Sequence, residues 1–377
     1  MNFPNIEKLC NETKAYTFSQ ENEQVFFEAM KENYLFQYGQ QPYIRFLSDR
    51  SGFNPSMMKT YKDVFRIPPL FVGTMKIHGF KSVPDEEITM TLTSSGTAGQ
   101  KTQTFFDAPS LERLEKLSGF AFRDIGMGSL KPAHYFVFNY DRGKASDVGT
   151  AWSAEQKTNL APAIAKYWTI EWNDKKGEFD FDIEKWVRKI IEIPSGDAVR
   201  FVGFPAFIFR FVQELIKMKP GFKVHPDSFV IAGGGWKNHT GETMTHKDFA
   251  SFLENSVGLP AENVRDTYGM AEHGIPYAAC KKGLHHVPIY GRLLVRDPLS
   301  MKILSPGEEG LLQLITPFNT AQSNLSVLST DLCILKDNCS CGMPGLFISS
   351  IRRGGIRKHK GCAIAAQEIL NKSQKAK

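Results

Sequence analysis

The spacing of apolar positions divides this chain into three stretches that predict different elements. Over residues 1 to about 60, apolar side chains such as Val25, Phe26, Met30, Tyr34 and Leu35 fall at helical spacing, and helix breakers follow at Pro55 and at Pro68 and Pro69. The middle of the chain alternates between the two periods. ITMTLT from Ile88 is a strand, Pro109 to Arg123 a helix, and HYFVF from His134 to Phe138 a strand. Asn139 to Thr150 is a polar loop containing glycine. Val199 to Val202 is a strand, Phe207 to Met218 a helix closed by Pro220 and Gly221, and SFVIA from Ser228 to Ala232 a short buried strand. His246 to Val257 is a helix and Val264 to Tyr268 a strand. After Tyr290 the pattern changes to short strands and turns: RLLVRD, LLQLIT, LSVLST and LFISSI. Strands alternating with helices predict an α/β core, and the later strands a β-rich subregion. The expected organisation is a helical layer over 1–60 without chemistry of its own, a core over 61–350, and a short basic segment over 351–377.

Composition adds bounds. The 377 residues are 42% hydrophobic and 12% aromatic, ordinary for a globular protein and enough for a sizeable core. The formal charge of +6 is concentrated between Arg352 and Lys360 and in the last residues. No basic motif interleaved with aromatics accompanies it, so no nucleic-acid partner is expected; an anionic small molecule or a solvated tail suits the charge. No stretch has the apolar length of a membrane span, and MNFPNIEKLCNETK lacks the pattern of a signal peptide. Six cysteines without such a signal imply reduced thiols, a metal site or a nucleophile rather than a disulfide framework, and a cytoplasmic location.

The chemistry concentrates first in TLTSSGTAGQKTQT, Thr91 to Thr104. A strand here runs into hydroxyls at Thr93, Ser94, Ser95 and Thr97, glycines at Gly96 and Gly99, and one cation, Lys101. Glycine lets a backbone approach closely, hydroxyl and N–H groups donate, and lysine adds charge, which together suit phosphate. Gln100 separates Gly99 from Lys101, so this is not the nucleoside-triphosphatase loop, in which lysine directly follows glycine. A polar turn between strands is the plain alternative.

Three further segments extend this. Gly233, Gly234 and Gly235 follow a buried strand and remove side chains where a flat ligand must touch backbone, unless they form only a tight turn. Asp266 to Glu272, DTYGMAE, sets Tyr268 beside Gly269 as a ring to stack on a purine, with Glu272 as a hard ligand for Mg²⁺ on phosphate oxygens. Asp331, ending a predicted strand, suits two ribose hydroxyls, or is a solvated turn.

In this order, TSSGTAGQK, GGGW, YGMAE, TD and then Arg352 and Arg353 resemble the successive signature motifs of the adenylate-forming superfamily, which joins a carboxylic acid to ATP as an acyl-adenylate with release of pyrophosphate. The joint match is far more specific than any one motif. The phosphate loop, IAGGGWK at Ile231 to Lys237 and RRGGIRKHKGCAIA at Arg352 to Ala365 are most similar to the acyl-protein synthetases of bacterial bioluminescence, over roughly Ile88 to Ala365. This resemblance implies an α/β adenylation domain, ATP and Mg²⁺ as cofactors, a fatty acid as substrate, and Arg352 or Arg353 on the nucleotide. It implies that Cys362 takes the acyl group as a thioester and passes it to an acyl-CoA or acyl reductase-type partner protein. The residues expected to carry catalysis are Cys362, Lys101 and Glu272.

Cys362 has a physical case of its own. Arg352, Arg353, Arg357, Lys358, His359 and Lys360 precede it, and dense positive charge favours the thiolate that attacks an activated acyl group. An idle thiol in a basic tail is the plain reading. Cys280, His285 (with His286 beside it), Cys339 and Cys341 offer a Cys₃His set for structural zinc. CKKGLH followed by CxCG also resembles metal-bearing relatives of phenylacetate–CoA ligase, although Cys-x-Cys is tighter than the usual knuckle, and buried unpaired thiols are the alternative. Two departures from the superfamily stand out. Ala271 replaces the hydroxyl residue usual before the glutamate, and the chain ends too soon after Cys362 for the C-terminal domain that usually brings a catalytic lysine, so a partner or the basic tail is expected to supply that charge. Two other readings compete: an acyl- or aryl-CoA ligase, in which CoA rather than Cys362 receives the acyl group, and a non-catalytic nucleotide-binding subunit.

Overall fold

The computed structural model describes residues 2–93, 102–141, 143–145, 148–235 and 244–354. Among these, two six-stranded sheets carry the fold. The first runs, in spatial order, Glu178–Asp180, Ala163–Asn173, Ala133–Tyr140, Ala198–Gly203, Phe229–Ala232 and Val264–Arg265. All its pairings are parallel except that of the edge strand Glu178–Asp180. Every residue of Ala133–Tyr140, Ala198–Gly203 and Phe229–Ala232 is buried, which is why these strands read as apolar runs rather than as alternation. Phe136, Phe138, Phe201 and Phe211 pack on one another in the layer between this sheet and the helix Pro205–Met218.

The second sheet is antiparallel along its main path: His285–His286, Phe347–Arg353, Ser326–Lys336, Glu309–Ile315 and Arg292–Arg296. Leu70–Phe71 adds to Ser326–Lys336 in parallel. An α/β core with a β-rich subregion is thus present, as the periodicities predict. Two small hairpins complete the strands, Ile88–Thr93 with Gln103–Asp107 and Thr267–Tyr268 with Tyr277–Ala278.

Helix ends follow local chemistry. Asp107 accepts from Ser110 N at 2.9 Å and Pro109 occupies the first turn, starting Ala108–Asp124. Thr245 caps His246–Val257 through Asp248 N at 3.1 Å, and Gly258 ends it in the left-handed region at φ +71°. The N-terminal helices Pro4–Cys10, Gln20–Gln40 and Pro42–Ser51 share one hydrophobic core with both sheets: Phe26, Met30 and Tyr34 join Phe229, Ile231, Ile315 and Phe318. Asn33 Nδ2 fastens the long helix by donating to the Pro317 and Asn319 carbonyls at 2.7 and 2.9 Å. No described helix is long and apolar enough to cross a membrane.

Candidate active site

The parallel strands end together at Tyr140, Gly203, Ala232 and Arg265. From Ala133–Tyr140 the chain moves outward to Ala163–Asn173, then returns to Ala198–Gly203 on the other side. The order reverses there, and in open α/β sheets ligands bind outside the carboxyl ends at such a reversal. Two of the predicted motifs start on this edge. Ala232 leads into Gly233, and Arg265 leads into Asp266, Thr267 and Tyr268.

The glycine run turns out to serve the protein's own packing first. A Cβ on Gly233 would lie 2.8 Å from Thr267 Oγ1 and 3.3 Å from Lys157 Nζ. Gly234 has φ +87°, and a Cβ there would meet the Phe204 ring at 3.0 Å. Gly235 alone has open space beside it.

Tyr268 OH donates to Asp331 Oδ2 at 3.0 Å, joining the hairpin that follows the first sheet's last strand to the second sheet. Burial and the Asp331 carboxylate together push the Tyr268 phenol well above its ordinary range. Arg353 stands opposite Asp331 in the ladder, whereas Arg352 lies opposite Leu332 and forks onto Glu309 at 2.9 and 2.6 Å. Of the two predicted arginines, Arg353 therefore shares Asp331's face, and Arg352 is held on the other.

Thr93 ends its strand bridged to Val148, and a Cβ on Gly149 would lie 3.8 Å from both Thr93 O and the Ala271 methyl. The strand Ile88–Thr93, the first turn of Gly149–Lys157 and the Ala271–Glu272 segment therefore meet. Glu272 is buried, its carbonyl accepts from Asn324 Nδ2 at 3.0 Å, and among the described residues nothing pairs with its carboxylate. An unpaired acid of this kind fits the Mg²⁺ ligand expected there. Gly269 links the strand Thr267–Tyr268 to the turn that begins at Met270. Ser94, Ser95, Gly96, Thr97, Gly99, Lys101 and Cys362 lie outside the described residues.

Two features went unread or misread in the sequence. Lys157 is buried, and its Nζ donates to Thr267 Oγ1 at 2.9 Å; Thr267 Oγ1 in turn donates to Ala232 O at 2.9 Å. Burial pushes the ammonium down to about 8, against the opposing pull of Asp266. The available signal was a lysine on the same helical face as the small residues Ala151 and Ala154. The second concerns the cysteine cluster. Cys280, Cys339 and Cys341 do converge, but their imidazole is His286, not His285. Neighbouring residues of a strand face opposite ways, and His285–His286 is a strand. His286 Nε2 lies 3.4 Å from Cys341 Sγ, while His285 Nε2 lies 3.6 Å from Asp266 Oδ2. Burial alone would raise the Asp266 carboxyl, but His285, the Thr267 N–H and His246 hold it below its ordinary value.

The parallel sheet with its order reversal, and the antiparallel sheet joined to it beside Asp331, make up the large-domain fold of adenylate-forming enzymes. The fold matches 2-hydroxyisobutyryl-CoA ligase solved with its acyl-adenylate and CoA, with a TM-score of 0.69 at 16% identity over 91% of this chain and 70% of that one. Residues 2–371 match the family described as acyl-protein synthetase, LuxE, and the chain belongs to that family. It is similar to the long-chain-fatty-acid–luciferin-component ligases of Aliivibrio fischeri, at 26% identity over 98% of this chain and 95% of that protein, and of Vibrio harveyi, at 24% over 93% and 89%. The chain is an enzyme, a ligase that activates acyl groups.

Proposed function

We propose that this ligase activates a fatty acid, a long-chain one by its relatives' names, with ATP and carries the product on its own thiol. A carboxylate oxygen attacks the α-phosphorus, the bond to the β-phosphate breaks, and pyrophosphate leaves. The Cys362 thiolate then attacks the acyl carbon, the bond to the phosphate oxygen breaks, and AMP leaves. A reductase-type partner or another acceptor takes the acyl group from the thioester. The hydroxyls Thr93, Ser94, Ser95 and Thr97 and the Lys101 ammonium grip the departing phosphates. Glu272 would hold Mg²⁺, which offsets phosphate charge when bound. Tyr268, Gly233, Gly234 and Gly235 flank adenine, Asp331 accepts from ribose, and of Arg352 and Arg353 the one beside Asp331, Arg353, contacts the nucleotide.

The observation that best supports this reading is the meeting of Thr93, Gly149 and Ala271 at the mouth of the parallel sheet, with Tyr268 and Asp331 joined beside it. The expected result is fatty-acid-dependent ATP–pyrophosphate exchange and a hydroxylamine-labile acyl adduct that vanishes in Cys362→Ser. Acid-dependent exchange with CoA as the sole acceptor would favour a CoA ligase. Nucleotide binding without exchange for any acid would favour a regulatory subunit.

A further inference from the structure

Cys280, His286, Cys339 and Cys341 bring four ligand atoms within 4.8 Å of one another, the number a closed tetrahedral centre takes.

 The distances agree with such a centre. Zn–S bonds of about 2.3 Å and Zn–N bonds of about 2.0 Å give tetrahedral edges of about 3.8 Å between sulfurs and about 3.5 Å between sulfur and nitrogen. Cys280 Sγ and Cys339 Sγ are 3.9 Å apart, and Cys341 Sγ and His286 Nε2 are 3.4 Å apart. Backbone N–H groups two residues on, Lys282 N and Met343 N, each donate to Cys280 Sγ and Cys341 Sγ at 3.4 Å, as they do to metal-bound thiolates. The cysteines are free, so no disulfide accounts for their approach. His286 is fully buried, and its Nδ1 has no hydrogen bond among the described residues.

We propose that these four residues bind one structural Zn²⁺, which ties the Cys280–His286 turn to the Cys339–Cys341 turn. By fixing His286, the ion also fixes the neighbouring His285 against Asp266, one residue before the Thr267 and Tyr268 of the active site. The test is metal analysis of the full chain purified without chelator, together with cobalt substitution. About one zinc per chain and the visible absorption of tetrahedral thiolate-bound Co²⁺ are expected. His286→Ala and Cys341→Ser lose the metal, and His285→Ala keeps it. A wild-type chain that takes up neither metal, or a His286→Ala variant that keeps a full complement, overturns the proposal. The cobalt spectrum decides the matter even where a cysteine variant does not fold.

A different observation carries a second inference, which rests on the proposed function. Lys157 Nζ has one hydrogen bond among the described residues, to a neutral hydroxyl, and it packs against Gly233, where a Cβ would lie 3.3 Å from it. A buried ammonium needs an anion. The Asp266 carboxylate already accepts from Thr267 N at 2.8 Å and faces His285. We infer that Lys157 meets the carboxylate of the acid substrate and holds it for attack on ATP.

The test compares wild type with Lys157→Met and Lys157→Arg by acid-dependent pyrophosphate exchange and by direct ATP binding. Lys157→Met is expected to raise the KM for the acid at least tenfold with ATP binding unchanged, and Lys157→Arg to recover part of the loss. An unchanged KM for the acid, or a loss of ATP binding that parallels the loss of exchange, overturns the inference. A wild-type chain without exchange for any acid refutes the proposed function instead.

Discussion

Lys157→Met should make this protein more stable near neutral pH while it damages the reaction. The ammonium falls from an ordinary 10.5 to about 8 in the folded chain because it is buried. Each tenfold change in proton affinity is worth about 1.4 kcal/mol, so keeping this lysine charged costs the folded state about 3 kcal/mol. Methionine has a similar length and no charge, and its only evident loss is the hydrogen bond to Thr267, about 1 kcal/mol. The net expectation is a gain of about 2 kcal/mol at pH 7. The sign with pH follows from proton counting. Between about 8 and 10.5 the unfolded chain binds a proton that the folded chain does not, so wild-type stability rises with pH across that window. The penalty is complete below the window and gone above it, so the advantage of the variant should shrink as pH rises. Urea denaturation of both proteins between pH 7 and pH 10, with Asp266 ionised throughout, measures the gap. A variant less stable than wild type at pH 7, or a gap that does not change with pH, would refute the reasoning.

Asp331→Asn should weaken nucleotide binding about tenfold, since a hydrogen bond to a charged acceptor is worth about 1.5–3 kcal/mol, and calorimetric ATP titration reads this directly. Glu272→Gln should lower pyrophosphate exchange strongly and leave the melting temperature within a few degrees, because its carboxylate has no partner among the described residues. His273 is pushed down to about 3 by burial, so the unfolded chain binds its proton first as pH falls; wild type should lose about 2 kcal/mol between pH 7 and pH 5 on this account, and His273→Gln should lose less in acid denaturation. Glu309→Gln should change stability by less than about 1 kcal/mol in thermal unfolding, since its pair with Arg352 is exposed.

The parallel strands were legible in the sequence because burial on both faces makes them apolar runs bounded by polar turns. Ala133–Tyr140 and Phe229–Ala232 are such runs. Ala163–Asn173 was not, because only two of its eleven residues are buried and its composition follows neither period cleanly. Helix Gly149–Lys157 was hidden for a related reason: its buried residues are Ala151, Trp152, Ala154 and Lys157, so a single large apolar side chain marks its inner face. Leu35 belongs to the predicted apolar set yet is 61% exposed, since Tyr34 takes the core-facing position beside it. Motif order did not show which of two neighbouring residues shares a face with a given partner. His286 against His285, and Arg353 against Arg352, are decided by strand register, which depends on pairing with distant residues.

The helix Gly149–Lys157 touches the phosphate-loop strand at its first residue and the glycine run at its last. Nine residues at about 1.5 Å each make a rod of about 13 Å. Such a rod works as a ruler: it fixes the spacing between Thr93, where the strand Ile88–Thr93 ends, and Lys157. Deleting one residue within it would turn Lys157 through about 100° around the axis and draw it back by about 1.5 Å, so this segment tolerates changes of side chain far better than changes of length.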